Sequence, residues 1–241
     1  MQMKDIPVVF IPGTLCDARL FYPQIEELSQ NWVVLVAPPL DGGGISDYAV
    51  RLAAQLPFRF SVVGHELGAC VAMELVRKFP ERVDRLAIVS ANALADVPGD
   101  ITRREIDIVA ARSEPFPACY TKTLATRLGE PAAATPVLAA LQEMAEASNP
   151  QIYIDQIRAM QKRPDQQSTL RRYRKPVGII CGRDDPIYPL RRIEFLAELV
   201  PDAQLYVIER AGHYPSLENP MNFTLALLRW LQQPLVLHRT A

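Results

Sequence analysis

Three short segments hold the residue types that polar chemistry needs. Gly64-His65-Glu66-Leu67-Gly68 puts a carboxylate at the centre of a turn, with a glycine two residues away on either side. Cys181-Gly182-Arg183-Asp184-Asp185-Pro186 supplies a pair of carboxylates, and Ala211-Gly212-His213-Tyr214-Pro215 supplies an imidazole. A carboxylate beside a histidine that a second carboxylate orients is able to work as a nucleophile, a general base or an electrostatic partner. The chain has three histidines, and the other two read differently. The side chain of His65 is expected to pack or hydrogen-bond beneath the reacting face, and His238 falls in a terminal stretch, 234–241, that reads as a tail.

Each segment follows a run that reads as a strand. Short, mostly continuous apolar runs at 8–11, 32–36, 60–63, 85–89, 177–181 and 204–208 fit strands buried on both faces. Helical patterns separate them at 20–28, 48–56, 67–78, 190–200 and 221–231, the last with Asn219 placed to cap it and Pro220 in its first turn. The rhythm breaks between 92 and 175, where helix-like pieces at 101–111, 121–128, 136–146 and 152–162 replace strands. We read 1–91 and 176–241 as an α/β core and 92–175 as a helical lid, because added segments gather over the functional end of such sheets. The turn at 64–68 then sits between a strand and a helix, a geometry that forces its central residue into a strained backbone region and demands small neighbours.

Composition narrows the partners. A net charge of −1 without any basic or acidic block argues against nucleic acid and against a membrane surface. With 49% hydrophobic and 22% charged residues the usage is that of a globular chain. The four cysteines, Cys16, Cys70, Cys119 and Cys181, lie far apart, without metal-ligand or redox spacing. No apolar run approaches the length of about 18 residues needed to span a bilayer, and the first strand begins too early for a leader. The expectation is a cytoplasmic protein acting on a small-molecule substrate, with no cofactor and no metal.

The order of nucleophile turn, acid and histidine, each at the carboxyl end of a strand, resembles the α/β-hydrolase superfamily. Ile11-Pro12-Gly13-Thr14-Leu15 looks like its oxyanion loop, with proline where histidine often precedes the glycine. Phe79-Pro80-Glu81-Arg82-Val83, Arg163-Pro164-Asp165 and the run from Gly212 to Pro220 extend the likeness over nearly the whole chain. The layout is similar to the small bacterial carboxylesterases that include the pimeloyl-ester carboxylesterases. The resemblance implies an α/β-hydrolase fold whose sheet is mostly parallel, since the chain starts almost at the family's third strand. It aligns Asp185 as the acid, with Asp184 as rival, and His213 as the base. Leu67 N–H and the N–H of Thr14 or Leu15 fit the oxyanion donors. The implied activity is hydrolysis of a small, largely apolar carboxylic ester or related acyl compound.

Position 66 departs from that pattern, because the family's nucleophile there is serine. A carboxylate needs no base to attack, which leaves His213 to activate water, as in the aspartate-bearing epoxide hydrolases and haloalkane dehalogenases. Those relatives commonly carry tryptophan at the next position, where this chain has Leu67. Attack of Glu66 on an unactivated ester is chemically poor, because the intermediate expels the carboxylate again. Glu66 is therefore open to four readings: nucleophile, general base on water, partner of His213 in a silent ligand-binding site, or replaced serine. Cys16 is a candidate substitute nucleophile or, more simply, a small buried group. Tyr120, Tyr153 and Tyr173 are candidate phenol donors for an epoxide or, more simply, structural tyrosines.

Overall fold

The computed structural model describes residues 4–113, 116, 118–129 and 131–235. The end of the expected tail, with His238, lies outside the described residues. Six strands form one sheet: β1 (Lys4–Ile11), β2 (Trp32–Val36), β3 (Phe60–His65), β4 (Val83–Val89), β5 (Val177–Gly182) and β6 (Gln204–Ile208). Their order is β2-β1-β3-β4-β5-β6, and every neighbouring pair is parallel. All six coincide with apolar runs of the sequence. β1, β3, β4 and β5 extend further, since backbone pairing continues past the residues that carry the hydrophobic signal.

Alternation along the central strands feeds two cores. In β1, Val9 and Ile11 join one cluster while Val8 and Phe10 join the other. The helices Ile45–Gln55, Leu67–Lys78 and Leu190–Leu199 cover the first face, and Tyr22–Leu28 with Pro220–Leu231 cover the second. Interior strands β3 and β5 are buried at every residue, whereas β2 and β6 are half-open, as edges must be. The expected helix at 20–28 is split into a 3-10 turn, Ala18–Phe21, capped by Asp17, and the α-helix Tyr22–Leu28.

Between β4 and β5 the described residues build helices and no strand: Pro98–Ser113, Ala118–Ala125, Pro131–Glu146, Pro150–Gln161 and Gln167–Arg172. The third starts earlier than the periodicity suggests and contains Pro136. Gln167–Arg172 and the four-residue Pro215–Glu218 are too short to leave a periodic signal. Among the described residues no helix is long and apolar enough to cross a membrane.

The tightest packing lies where β3 turns into the helix Leu67–Lys78. A Cβ at Gly68 would collide with the carbonyl group of Ile11, and one at Gly64 with the backbone of Gly68. β1 and the helix thus touch backbone to backbone, which brings the loop after β1 against the turn. Gly68→Ala should force the two apart and cost about 3 kcal/mol of stability, a loss readable in urea unfolding. A variant with an unchanged midpoint would show that this approach is not required.

Candidate active site

Glu66 is the residue on which the strand-to-helix turn pivots. Its backbone has φ 48 and ψ −107, a left-handed region that non-glycine residues rarely occupy. Its carbonyl accepts the N–H groups of Ala69 and Cys70, so the strained residue is locked by the first helical turn. The side chain is 7% exposed. One carboxylate oxygen, Oε2, accepts the N–H of Thr14 at 3.0 Å, and the other, Oε1, lies 3.7 Å from Nη1 of Arg127. Burial on its own would raise the pKa of this carboxyl group. Arg127, followed by His213, His65 and the Thr14 N–H, outweighs burial and holds it at about 2.

His213 and Asp185 meet behind it. Nδ1 of His213 lies 3.0 Å from Oδ2 of Asp185, and the second oxygen of Asp185 accepts the N–H groups of Ile187 and Tyr188. Burial works against the charge on Asp185, but His213 and those N–H donors keep its pKa below the ordinary value. Asp184, its rival, is exposed. With a carboxylate acceptor at Nδ1, that nitrogen carries the proton and Nε2 is left as a base. Nε2 of His213 is buried and has no hydrogen-bond partner among the described residues. Among the described residues Glu66 forms no ion pair with His213; its partner is Arg127. His65 is buried beneath, its Nε2–H donating to the carbonyl of His213 at 2.8 Å. Burial and neighbouring His213 lower the pKa of His65 to about 4, so it stays neutral while propping the histidine loop.

The loop after β1 completes the frame. Thr14 N–H is directed at Glu66, whereas Leu15 N–H is engaged by Oε1 of Gln156 at 2.9 Å. Of the two expected loop donors, Thr14 is the one turned to position 66. Leu67 opens the helix that follows Glu66. Tyr120 donates from its hydroxyl to the carbonyl of Thr14 at 3.2 Å, and its ring packs 5.1 Å from that of Tyr153. Tyr173 does not join them: its hydroxyl donates to the carbonyl of Val83, at the opposite end of the sheet. Cys16 is a buried thiol, and burial reinforced by Glu66 pushes its pKa far up, so it is neutral and a poor nucleophile.

A cavity of about 250 Å³ opens in front of Glu66, and its walls are polar. Arg103, Arg104 and Asp107 come from the helix Pro98–Ser113, Arg127 from the segment after Ala118–Ala125, and Arg163 and Arg192 from further on. Arg104 and Arg163 both pair with buried Asp96. A second cavity of about 520 Å³ shares Asn92, Asp100, Arg163 and Arg192 with the first and is otherwise lined largely by apolar groups such as Leu94, Val97 and Phe195. Arg127 and Gln156 were not anticipated from the sequence. Gly129, two residues on from Arg127, packs on the histidine loop: a Cβ there would come within 2.7 Å of the Gly212 N.

Residues 50–220 match the family described as "alpha/beta hydrolase fold". The pimeloyl-[acyl-carrier protein] methyl ester esterase of Chromobacterium violaceum is 28% identical, over 89% of this chain and 85% of that protein. A thermophilic esterase from Thermogutta terrifontis superposes with a TM-score of 0.86 at 25% identity, covering 95% of this chain and 90% of the other. The enol-lactonase of Burkholderia xenovorans gives 0.84 at 19% identity, covering 96% and 95%, a likeness of fold.

A depressed carboxylate makes stability depend on acid. Glu66 binds its proton near pH 4.5 when unfolded and near 2 when folded, so its charge stabilises the fold fully above about 4.5, and that contribution fades as the pH falls towards 2. Urea midpoints of wild type and Glu66→Gln should therefore converge as the pH is lowered from 6 to 2. Parallel curves across this range would contradict the ion pairing of Glu66.

Proposed function

The chain belongs to the α/β-hydrolase family, and from that premise we propose that Glu66 itself bonds covalently to a small electrophile in the arginine-lined cavity. The observation that carries this reading is the hydrogen bond from Thr14 N–H to Glu66 Oε2. In a serine enzyme that donor serves the substrate's developing oxyanion. Here it already serves the carboxylate of the protein, so a carbonyl substrate attacked by Glu66 would lack that donor. Attack on a tetrahedral carbon, as in an epoxide or an activated alkyl group, creates no carbonyl oxyanion and has no need of it.

Two steps follow. Oε1 of Glu66 attacks the carbon, the bond to the leaving atom breaks, and that atom departs with the electron pair. The product is an ester of Glu66 whose carbonyl oxygen, Oε2, rests against Thr14 N–H. Nε2 of His213 then takes a proton from water as the water oxygen attacks Cδ of Glu66. The donors Thr14 and Leu67 stabilise the oxyanion, now in the protein's own ester. Collapse expels the alkoxide, which takes the proton from His213, while Asp185 stabilises the imidazolium in between; Glu66 is left as the acid and loses its proton, which balances the anion released in the first step. Glu66, with its low pKa, is ionised throughout the ordinary range, so an inflection in rate between pH 5 and 8 belongs to another group.

The helices between β4 and β5 act in this scheme as a lid. Support comes from Gln156 on Leu15, from Tyr120 on Thr14, and from the arginines they bring over the cavity. The polar wall moves the expected substrate from largely apolar to one with a polar end near Glu66 and an apolar remainder in the adjoining cavity. A second reading, hydrolysis of an acyl compound with Glu66 as base on water, is favoured by the esterase relative and requires Glu66 to leave Thr14 N–H free.

Intact-protein mass and oxygen-18 labelling separate the two. After brief exposure to a panel of epoxides, alkyl halides and aryl esters, His213→Gln should retain an adduct on Glu66. In labelled water, a single wild-type turnover should place the heavy oxygen in Glu66. Turnover that survives in Glu66→Gln, with no label in the protein, would overturn the covalent mechanism. Glu66→Ser should lose the native reaction and gain aryl-ester hydrolysis, recovering part of the roughly 10⁴–10⁶-fold that a triad nucleophile contributes.

A further inference from the structure

The charges lining the cavity do not cancel in pairs. Arg104 and Arg163 share Asp96, and exposed Arg103 pairs with Asp100 at 3.3 Å. Arg127 stands apart. Its side chain is 10% exposed, and its one ion pair among the described residues, 3.7 Å from Glu66, is too long for a hydrogen bond. Nε and Nη1 of Arg127 are buried without a hydrogen-bond partner among the described residues. Asp107 lines the same cavity, but among the described residues no ion pair joins it to Arg127. A guanidinium presents a planar fork of donors that a carboxylate satisfies two at a time, and leaving such donors buried and unmade is costly.

The rest of the residue is fixed. The carbonyl of Arg127 accepts the N–H of His213 at 2.9 Å, and its guanidinium carbon lies 5.8 Å from the centroid of the Tyr120 ring. Tyr120 is in turn held on the carbonyl of Thr14. The cation is thus mounted between the histidine loop and the oxyanion loop, and it lines the cavity in front of Glu66. We propose that Arg127 is the binding site for a carboxylate borne by the substrate, and that this group, on binding, takes over the charge that Arg127 lends to Glu66. In the free protein Arg127 quiets the carboxylate of Glu66. An anionic substrate occupies the fork, weakens that pairing and leaves Glu66 the more reactive electron donor. The second half of this proposal rests on Glu66 being the nucleophile; the binding site itself does not.

Binding of propionate, with its uncharged isostere propionamide as control, tests the site without any turnover. Ligand-observed NMR at neutral pH on wild type, Arg127→Met and Glu66→Gln gives the comparison. Propionate should bind wild type while propionamide does not. Glu66→Gln, which removes the internal competitor, should bind propionate about 10-fold more tightly. Arg127→Met should lose about 10–100-fold, the worth of hydrogen bonds to a charged group, with near-UV circular dichroism verifying its fold. Equal binding of acid and amide, unaltered affinity in Arg127→Met, or no propionate binding to either wild type or Glu66→Gln would each overturn the site. A protein that binds propionate through Arg127 but never forms an adduct at Glu66 keeps the site and loses the nucleophile. One that forms adducts equally from anionic and neutral electrophiles keeps the nucleophile and loses the site.

Discussion

A carboxylate with almost no access to water has to be met by opposite charge or by donors, because the desolvation of an ion costs several kcal/mol even after relaxation. Glu66 imposes that requirement on everything around it. One oxygen recruits a backbone N–H from the loop after β1; the other faces Arg127, which arrives from a segment more than fifty residues downstream. Arg127 can be there only because its own carbonyl is fixed by the histidine loop. The charge at the turn, the helices between β4 and β5 and the loop after β6 therefore depend on one another. Removing any one of them leaves a buried charge without its counterpart.

The sheet makes this convergence possible. In an all-parallel arrangement every strand delivers its chain to the same edge, so the ends of β1, β3, β5 and β6 contribute to one place although they are far apart in sequence. The backbone strain at Glu66 belongs to the same construction. A residue at φ 48 is tolerated because Gly64 and Gly68 let a strand and a helix come to backbone contact around it. The strained turn in return holds the carboxylate clear of both elements, where a ligand can reach it.

The six strands were legible because burial on both faces forces continuous apolar runs, a signal that needs no knowledge of contacts. The turn at Glu66 and the loops bearing Asp185 and His213 were legible because their residue types are unusual for plain connections. The resemblance aligned Asp185 as the acid with Asp184 as rival, and in three dimensions Asp185 is buried against His213 while Asp184 faces water. Arg127, Gln156 and the Asp96 cluster left no local trace, since each owes its role to a partner on a distant segment. For Tyr173 the simpler structural reading holds: the chain has already returned to the far end of the sheet, where its hydroxyl donates to the carbonyl of Val83. The polar cavity escaped notice because a chain of average composition is able to concentrate its arginines in one place.

Glu218 holds one more consequence. Its Oε2 accepts the N–H groups of Gly129 and Gly212, and its Oε1 accepts that of Tyr214. A single carboxylate thus rivets the segment after Ala118–Ala125 to the loop that carries His213, and Gly129 and Gly212 touch at that point without room for a side chain. Such a seam behaves like the hinged edge of a door. A movement of the helices that spared this seam would have to open the side around Asn92, Asp100 and Arg192, residues that line both cavities. A ligand that entered on that side would pass the apolar groove before Arg127 and Glu66, and the seam would keep the histidine loop in place meanwhile.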